Sequence, residues 1–337
     1  MQVHAWLVEN PRSLVWRDGI VVARDLSFAD LERWRGATDA VVWLDLVAPS
    51  REVLDELAAD LGLSALAVDD VIEPKERPKV TRYERHAFLT CYAVDLDHSS
   101  DGRVEVRLGR LSAFVLPDAL ITVRSDDQVD IERIVNRWVN DDLVGHGVAA
   151  LVHGMLDEVV DGHFDVITTL DEEMDDLEDL LFERDRKPAE IQQRVFALRK
   201  ALVRLRRVVL PMREVVTAVM RFRDENDIPL SGELEGYFND LYDHVIRAAE
   251  WTESLRDMIS SVFETNLSLQ DARLNEVMKK LAAWAAIIAV PTAVTGWFGQ
   301  NIPYPGFAHE SGLIQSVVLI LVGSVGLYLL FRRADWI

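Results

Sequence analysis

One helical face near the C-terminus carries side chains that could form a path for cations. Counting in steps of three and four residues forward from Asn275 gives small side chains, and counting backward gives a more polar and acidic run. The full stripe comprises Asp257, Ser261, Glu264, Ser268, Ala272, Asn275, Met278, Ala282, Ala285, Ala289, Thr292, Gly296 and Gly299. Residues at this spacing share one face of an α-helix. Small residues suit either close helix packing or a narrow pore, and the polar run favours the pore.

The stripe ends at a second candidate site, Gly299-Gln300-Asn301. The prolines at 303 and 305 and the glycine at 306 break a helix at this point. Asn301, placed on a symmetry axis, would present a ring of amide carbonyls. Mg²⁺ keeps its waters, so neutral oxygens that bind the hydrated ion suit its entry better than a carboxylate cage. The alternative is a turn asparagine that caps the helix end.

Other chemistry finds little support in the sequence. The eight histidines are scattered, no metalloprotease, P-loop or nucleophile-elbow motif occurs, and we predict that the chain is not an enzyme. The acidic stretch 171–179 is typical of a solvated helix face. A formal charge of -21 argues against a nucleic-acid partner and favours cations as ligands. The single cysteine, Cys91, excludes an internal disulfide and is expected to be a buried thiol.

Two apolar segments without ionisable residues, 281–298 and 313–331, are each long enough to cross a bilayer. Lys279 and Lys280 precede the first, Arg332 and Arg333 follow the second, and no basic residue lies between them. The positive-inside rule therefore predicts that both ends face the cytoplasm. Buried helices of a soluble protein are the alternative interpretation, and these flanks argue against it.

The rest of the chain divides by pattern. Residues 1–147 alternate β-branched runs with helical patterns and predict a cytoplasmic α/β domain with a mixed or antiparallel sheet, in which Pro117-Asp118 marks a turn within 104–125. Residues 148–228, acidic and then basic, predict an antiparallel helical hairpin. We assign 229–280 to a stalk helix, 281–299 to the first transmembrane helix, 300–312 to an outer loop, 313–331 to the second transmembrane helix, and 332–337 to a basic tail. The stalk and the first crossing form one helix of roughly 65 residues, which favours a symmetric oligomer.

These residues resemble the CorA family of divalent-metal transporters. The resemblance rests on NEVMK (275–279), a proline in the first crossing, Gly-x-Asn at its end and RRADW (332–336). Upstream it extends through RPKV (77–80), LPMREV (210–215) and the run from 239 to 258, so that it covers roughly residues 70–337. It implies an α+β multidomain membrane protein that assembles as a homopentameric funnel in a bacterial inner membrane, with the lipid bilayer and its own copies as partners.

The resemblance also implies roles for individual residues. Gly299, Gln300 and Asn301 would form the selectivity filter, and Lys279, Lys280, Arg332 and Arg333 a basic collar at the membrane surface. Asp240 would bind a regulatory divalent metal between subunits, and Asp97 is our candidate for its partner ligand. Mg²⁺ would be both substrate and regulator, without an organic cofactor. The conduction path would be lined by Glu264, Asn275, Met278, Leu281, Ala285, Ala289 and Thr292.

One departure from the family pattern bears on the ion. The family signature is Gly-Met-Asn, whereas this chain has a polar glutamine at position 300. We expect a channel that moves Mg²⁺ or a related dication such as Co²⁺, Ni²⁺ or Zn²⁺. A ZntB-like zinc transporter, with or without proton coupling, is a second interpretation. A membrane-anchored metal sensor or scaffold that conducts nothing is a third.

Overall fold

The computed structural model describes residues 12–26, 30, 33–34, 37, 39–73, 77–98, 104–140, 142–182, 188–225, 232–300 and 302–337. These residues divide into two compact units, Met1–Ser260 and Ser261–Ile337. The first unit holds a seven-stranded mixed sheet with strand order β2-β1-β3-β7-β6-β5-β4. Its strands are β1 (Arg12–Arg17), β2 (Ile20–Arg24), β3 (Ala40–Val47), β4 (Lys79–Arg82), β5 (Ala87–His98), β6 (Val104–Val115) and β7 (Ala119–Arg124).

The sheet combines both kinds of strand pairing, as its sequence predicts. β3 and β7 pair in parallel, with Val42 opposite Ala119, and the other neighbours pair antiparallel. β6 and β7 form a hairpin around the predicted turn at Pro117 and Asp118. Along β3, Val42 and Leu44 point to one face and Trp43 to the other, because side chains alternate along a strand. Both faces therefore carry apolar side chains that need cover.

Helices cover each face of the sheet. One face packs against α1 (Arg51–Leu61) and α2 (Ala65–Ile72). α1 begins where the Ser50 hydroxyl accepts a hydrogen bond from the Val53 amide, and it ends at Gly62 with φ 69°. The other face packs against α3 (Ile131–Asn140), α4 (Val148–Phe182), α6 (Met212–Glu225) and the first turns of α7 (Gly232–Phe298). The first unit is thus a sheet between two helical layers.

Tryptophan rings mark the centre of the larger core. The Trp138 ring lies edge-on to Trp43 and Trp16, with centroid distances of 5.1 and 6.2 Å. Its indole nitrogen donates a hydrogen bond to the Leu151 carbonyl at 3.0 Å. Cys91 is fully buried in the same core, and burial raises the pKa of its thiol to about 12. This thiol is inert at neutral pH, as expected from the sequence.

The charged helical region contains one more helix than the predicted hairpin. α4 is followed by α5 (Pro188–Val209), and Arg194 on α5 pairs with Glu173 on α4 at 2.8 Å. The hairpin was expected to extend from 148 to 228, but α5 ends at Val209. Pro211 then starts α6, where its carbonyl accepts bonds from the amides of Glu214 and Val215. A proline is favoured at a helix start because the first helical amides have no intrahelical acceptor.

Two helices carry the apolar segments. α7 runs through Pro291 without interruption and comprises 67 residues, close to the stretch of roughly 65 predicted from the sequence. α8 (Glu310–Arg333) comprises 24 residues. The most apolar 18-residue segment of α7 has a mean hydropathy of 1.6, and that of α8 has a mean hydropathy of 2.3. Almost none of the residues in either segment is buried. Both helices are therefore long and apolar enough to cross a membrane. The predicted boundary between hairpin and stalk, at 228–229, lies outside the described residues.

Candidate functional site

The proposed path-lining residues share an exposed face of α7. At 100° per residue they fall within roughly 120° of the helix circumference. Every member is solvent-exposed in the single chain. These residues are Glu264, Asn275, Met278, Leu281, Ala285, Ala289 and Thr292. The structure thus brings the predicted set to one face, which is left open by the part of the chain that the structure describes.

α8 packs against a different face of α7. Ala283, on the side of α7 away from the stripe, is fully buried. About two turns further on, Val290 meets Gly323 of α8 so closely that a Cβ atom on the glycine would lie 2.8 Å from the valine Cγ1. Around the helix, Ala283 and Val290 lie roughly 120° to 140° from the centre of the stripe. α8 therefore leaves the stripe open, and this packing could not be read from the sequence.

Thr292 places a polar atom on the stripe within the apolar segment. Its hydroxyl donates to the carbonyl of Ile288, one turn earlier, at 3.2 Å. The hydroxyl proton is therefore used within the helix, and the oxygen keeps lone pairs that can accept hydrogen bonds. Such an oxygen suits the waters around a cation, since those waters donate their protons outward.

The C-terminal end of α7 is a tight turn. The Gly299 amide donates to Thr295 at 2.9 Å, and the Gln300 amide donates to Trp297 at 3.3 Å. A Cβ atom at position 299 would lie 2.9 Å from the Thr295 carbonyl oxygen, so the turn requires glycine there. The Gln300 side chain is exposed. Asn301, the third member of the predicted filter, lies outside the described residues.

A second cluster of metal-ligating side chains lies in the first unit, between α4 and α7. One ligand atom each from Asp157, Asp161 and His244 lies within 4.8 Å of the others. The predicted regulatory residue, Asp240, is next to this cluster, because its carboxylate lies 3.7 Å from His244 Nε2. Two carboxylates and an imidazole can bind a divalent cation.

A guanidinium already neutralises part of this cluster. Arg137 bonds Asp161 at 2.8 Å and Glu158 at 3.2 Å, and it also bonds Asp157. Burial raises the pKa of Asp157, and the positive charge of Arg137 opposes that effect. A metal bound here would share these carboxylates with Arg137 or displace it. None of these three ligands is predicted from the sequence, although Asp157 and Asp161, like Asp240 and His244, are spaced one helical turn apart.

The remaining predicted site residues lie at the surface. Asp97 is on β5 and pairs with Arg107 at 3.4 Å. Within one chain no hydrogen bond or ion pair joins it to Asp240, considering the residues that the structure describes. The four residues of the predicted basic collar, Lys279, Lys280, Arg332 and Arg333, are all exposed, and Lys280 pairs with Glu276 at 2.8 Å.

Aromatic rings lie next to the basic collar at the ends of the apolar segments. Trp284 on α7 meets Tyr328 on α8 with a centroid distance of 6.5 Å. Phe331 stacks on Trp336 at 5.5 Å. Aromatic rings at this level, followed by basic side chains, are typical of the cytoplasmic boundary of a membrane helix.

Comparison with known proteins agrees with this architecture. The model of the CorA-like Mg2+ transporter protein family matches residues 38–333. The cobalt/magnesium transport protein CorA of Thermotoga maritima is 27% identical over 303 residues, 88% of this chain and 83% of the relative. The structure of the Methanocaldococcus jannaschii CorA magnesium transporter superposes with a TM-score of 0.73 at 23% identity, covering 96% of this chain and 98% of the other.

A second solved structure, the full-length CmaX protein, superposes with a TM-score of 0.74 at 21% identity over 97% of this chain and 99% of its own. These likenesses confirm the predicted fold class: an N-terminal α/β domain, a long helix and two apolar C-terminal helices.

Proposed function

Because the chain belongs to the CorA-like Mg2+ transporter family, we propose that it assembles as a homopentamer in which the exposed stripe of α7 lines a path for hydrated Mg²⁺. The chain is a membrane protein of a family of divalent-cation transporters. The observation that carries the proposal is the division of α7 into a face packed by α8 and a face of small and polar residues that stays open. Small side chains let several copies of one helix approach a common axis.

The chemistry of the stripe suits a cation that keeps its water shell. Glu264 supplies an acidic ring towards the cytoplasm, where it concentrates cations. Asn275 and Thr292 supply neutral oxygens that accept hydrogen bonds from the ion's waters. Between them, Met278 and Leu281 form an apolar constriction that closes by dewetting when it narrows. An ion would therefore cross mainly as a hydrated species.

The outer mouth is formed by Gly299, Gln300 and Asn301, with amide oxygens from each copy around the axis. Glycine at position 299 allows the tight final turn. The exposed Gln300 adds a second ring of amides at the place where the family signature has methionine. Amide oxygens bind the first water shell without the strong attraction of a carboxylate, so the ion can also leave.

Regulation would come from metal bound near Asp240. Asp97 of a neighbouring copy is our candidate partner ligand. Within the same chain, His244 lies next to Asp240, and Asp157 and Asp161 lie next to His244, so these three side chains add ligands. Acids brought close together repel unless a dication neutralises them. Metal at high cytoplasmic concentration would thus hold the domains together and the path shut, and loss of metal would release them.

The orientation follows from the charges that flank the apolar segments. The basic collar consists of Lys279, Lys280, Arg332 and Arg333. It places both termini on the cytoplasmic side of a bacterial inner membrane, and the loop 300–312 on the outer side. The acidic cytoplasmic unit then meets the metal that it senses. Protease accessibility in inverted and right-side-out vesicles would check this orientation.

Ion-resolved flux into proteoliposomes tests the proposed path. We expect Mg²⁺ flux from the native chain, its loss in Asn301→Ala, and a decrease of about tenfold or more in Ala289→Leu, because the added side chain narrows the path. Val322→Leu is the matched control: it enlarges a side chain of α8 that is 67% exposed and is not part of the stripe. Native flux in Ala289→Leu would refute the assignment of the stripe.

The same assay separates the other interpretations. Zn²⁺ flux that needs a pH gradient, with no Mg²⁺ flux, would identify a ZntB-like transporter. The polar Gln300 and the imidazole of His244 keep this alternative open, since imidazole is a ligand for transition metals. A metal-dependent conformational change without flux of any ion would identify a sensor or scaffold.

A further inference from the structure

Tyr304 ties the outer loop to the end of α7. Its hydroxyl donates a hydrogen bond to the carbonyl of Phe298, the last residue of α7, at 3.3 Å. Its ring packs edge-on against the Phe298 ring, with a centroid distance of 4.9 Å and an interplanar angle of 75°. On its other side it meets Phe307 at 5.3 Å and 89°. One side chain therefore makes both a polar and an aromatic contact with the helix end.

The polar contact meets a need of the helix. The last four carbonyls of an α-helix have no intrahelical amide partner, and the Phe298 carbonyl is one of them. In the same turn, the amides of Gly299 and Gln300 bond back to Thr295 and Trp297. The exposed Gln300 side chain does not anchor the turn by packing. Tyr304 thus supplies a contact that the turn itself does not make.

The loop that carries Tyr304 is itself held in place. The Phe307 amide donates to the Tyr304 carbonyl at 2.9 Å, and the His309 amide donates to Gly306 at 3.1 Å. Gly306 has φ 91° and lies against Gly312 of α8, where a Cβ atom would come within 2.5 Å of the Gly306 carbonyl oxygen. These contacts fix the loop to the start of α8. Because Tyr304 belongs to this fixed loop, its contacts with Phe298 hold the end of α7 in place.

We propose that Tyr304 is a positioning residue that sets the ion preference of the outer mouth by holding the Gly299-Gln300 turn. This inference rests on the proposed function of that turn as part of the filter. The ion contacts amide oxygens whose spacing depends on the backbone of the last turn. If the turn frays, the ring of amides becomes less defined, and discrimination between hydrated dications of different size falls before transport itself fails.

Tyr304→Phe is the most informative variant, because it removes the hydroxyl and keeps the ring. Tyr304→Leu removes both contacts. Tyr328→Phe is the matched control: it makes the same chemical change on α8, where the ring lies beside Trp284 and not beside the outer loop. All three variants are made in the full chain reconstituted in lipid.

The first measurement is hydrogen–deuterium exchange of the peptide that contains residues 299 and 300. We expect exchange about fivefold faster in Tyr304→Phe, the factor that one net hydrogen bond contributes, a larger increase in Tyr304→Leu, and none in Tyr328→Phe. Native exchange in both Tyr304 variants would show that the contact does not hold the turn, and it would overturn the proposal whatever the chain transports.

The second measurement is the ratio of Mg²⁺ flux to Co²⁺ flux. We expect Tyr304→Phe to change this ratio by up to about fivefold while the maximal flux stays near native. Faster exchange with an unchanged ratio would mean that Tyr304 only stabilises the loop, and the positioning role would be refuted. Absence of flux from the native chain would refute the proposed function instead, while the exchange measurement would still decide whether Tyr304 holds the turn.

Discussion

Acid should destabilise the first unit, Met1–Ser260, through one buried imidazole, that of His163. The side chain lies on α4 with 1% exposure, and its Nε2 is 2.8 Å from the carbonyl oxygen of Tyr92 on β5. Burial lowers the pKa of His163 to about 4, and the hydrogen bond to Tyr92 opposes this only in part. The neutral ring fits the folded state, and the charged ring does not.

The size of the effect follows from the difference between the two pKa values. In the unfolded chain His163 has its ordinary pKa of 6.5. Between pH 6.5 and 4 the unfolded chain therefore binds a proton that the folded chain does not, so stability falls as the pH is lowered through this window. The pKa values of His163 in the unfolded and folded chains differ by about 2.5, and one pKa unit corresponds to about 1.36 kcal/mol. His163 alone therefore lowers the free energy of unfolding by about 3 kcal/mol by pH 4.

Guanidinium unfolding of the detergent-solubilised chain at a series of pH values measures this effect. The comparison is between the native chain and His163→Gln, in which the amide can still donate to Tyr92. His309→Gln, which replaces an exposed imidazole in the second unit, is the control and should follow the native profile. We expect the native chain to lose about 3 kcal/mol more than His163→Gln between pH 7 and 4. Parallel profiles for the two would refute the reasoning.

Two further predictions concern packing. Gly323→Leu should lower the thermal stability of the helix pair α7 and α8, because a Cβ atom at position 323 would meet Val290 at 2.8 Å. Adding Val290→Ala to the same chain should restore part of the lost stability. If the two substitutions instead change the stability additively, the two residues are not in direct contact. Cys91, with no exposed surface and a thiol pKa of about 12, should react with a maleimide at pH 8 only after unfolding, and rapid labelling of the folded chain would contradict its burial.

The membrane segments and the sheet could be predicted because their signals are local. An apolar run without charges needs no partner to be recognised, and its length compares directly with the bilayer. The same holds for the break at Pro117 and Asp118 between β6 and β7. The sequence does not predict the third helix of the charged region, because a proline such as Pro211 can either end a helix or start one.

The metal-ligating cluster shows why sites are harder to predict than elements. Asp157 and His244 are far apart in sequence, and only the packing of α4 beside α7 brings them together. Each residue taken alone has an ordinary interpretation, as a solvated acid or a core histidine. The sequence did indicate Asp240 by family resemblance, and the structure adds its neighbour His244 at 3.7 Å. Long-range contacts of this kind leave no local pattern to read.

The distribution of side chains around α7 favours an oligomer. Alanines occur on several faces of its apolar segment, so the sequence alone could not decide which face α8 covers. Once the contact between Val290 and Gly323 fixes that face, a small-residue stripe and a flank with the bulky Ile288 remain exposed. Lipid tails pack well against bulky side chains and gain little from a shallow stripe of alanine and threonine.

Further copies of the helix could use both remaining faces at once. The flank of one copy would pack against a neighbour, and the stripes would meet around the axis. In a single α7–α8 pair surrounded by lipid, neither the flank nor the stripe of α7 would have a protein partner. In a ring of copies both would have one, and for this reason we propose that the ion path runs along the stripe.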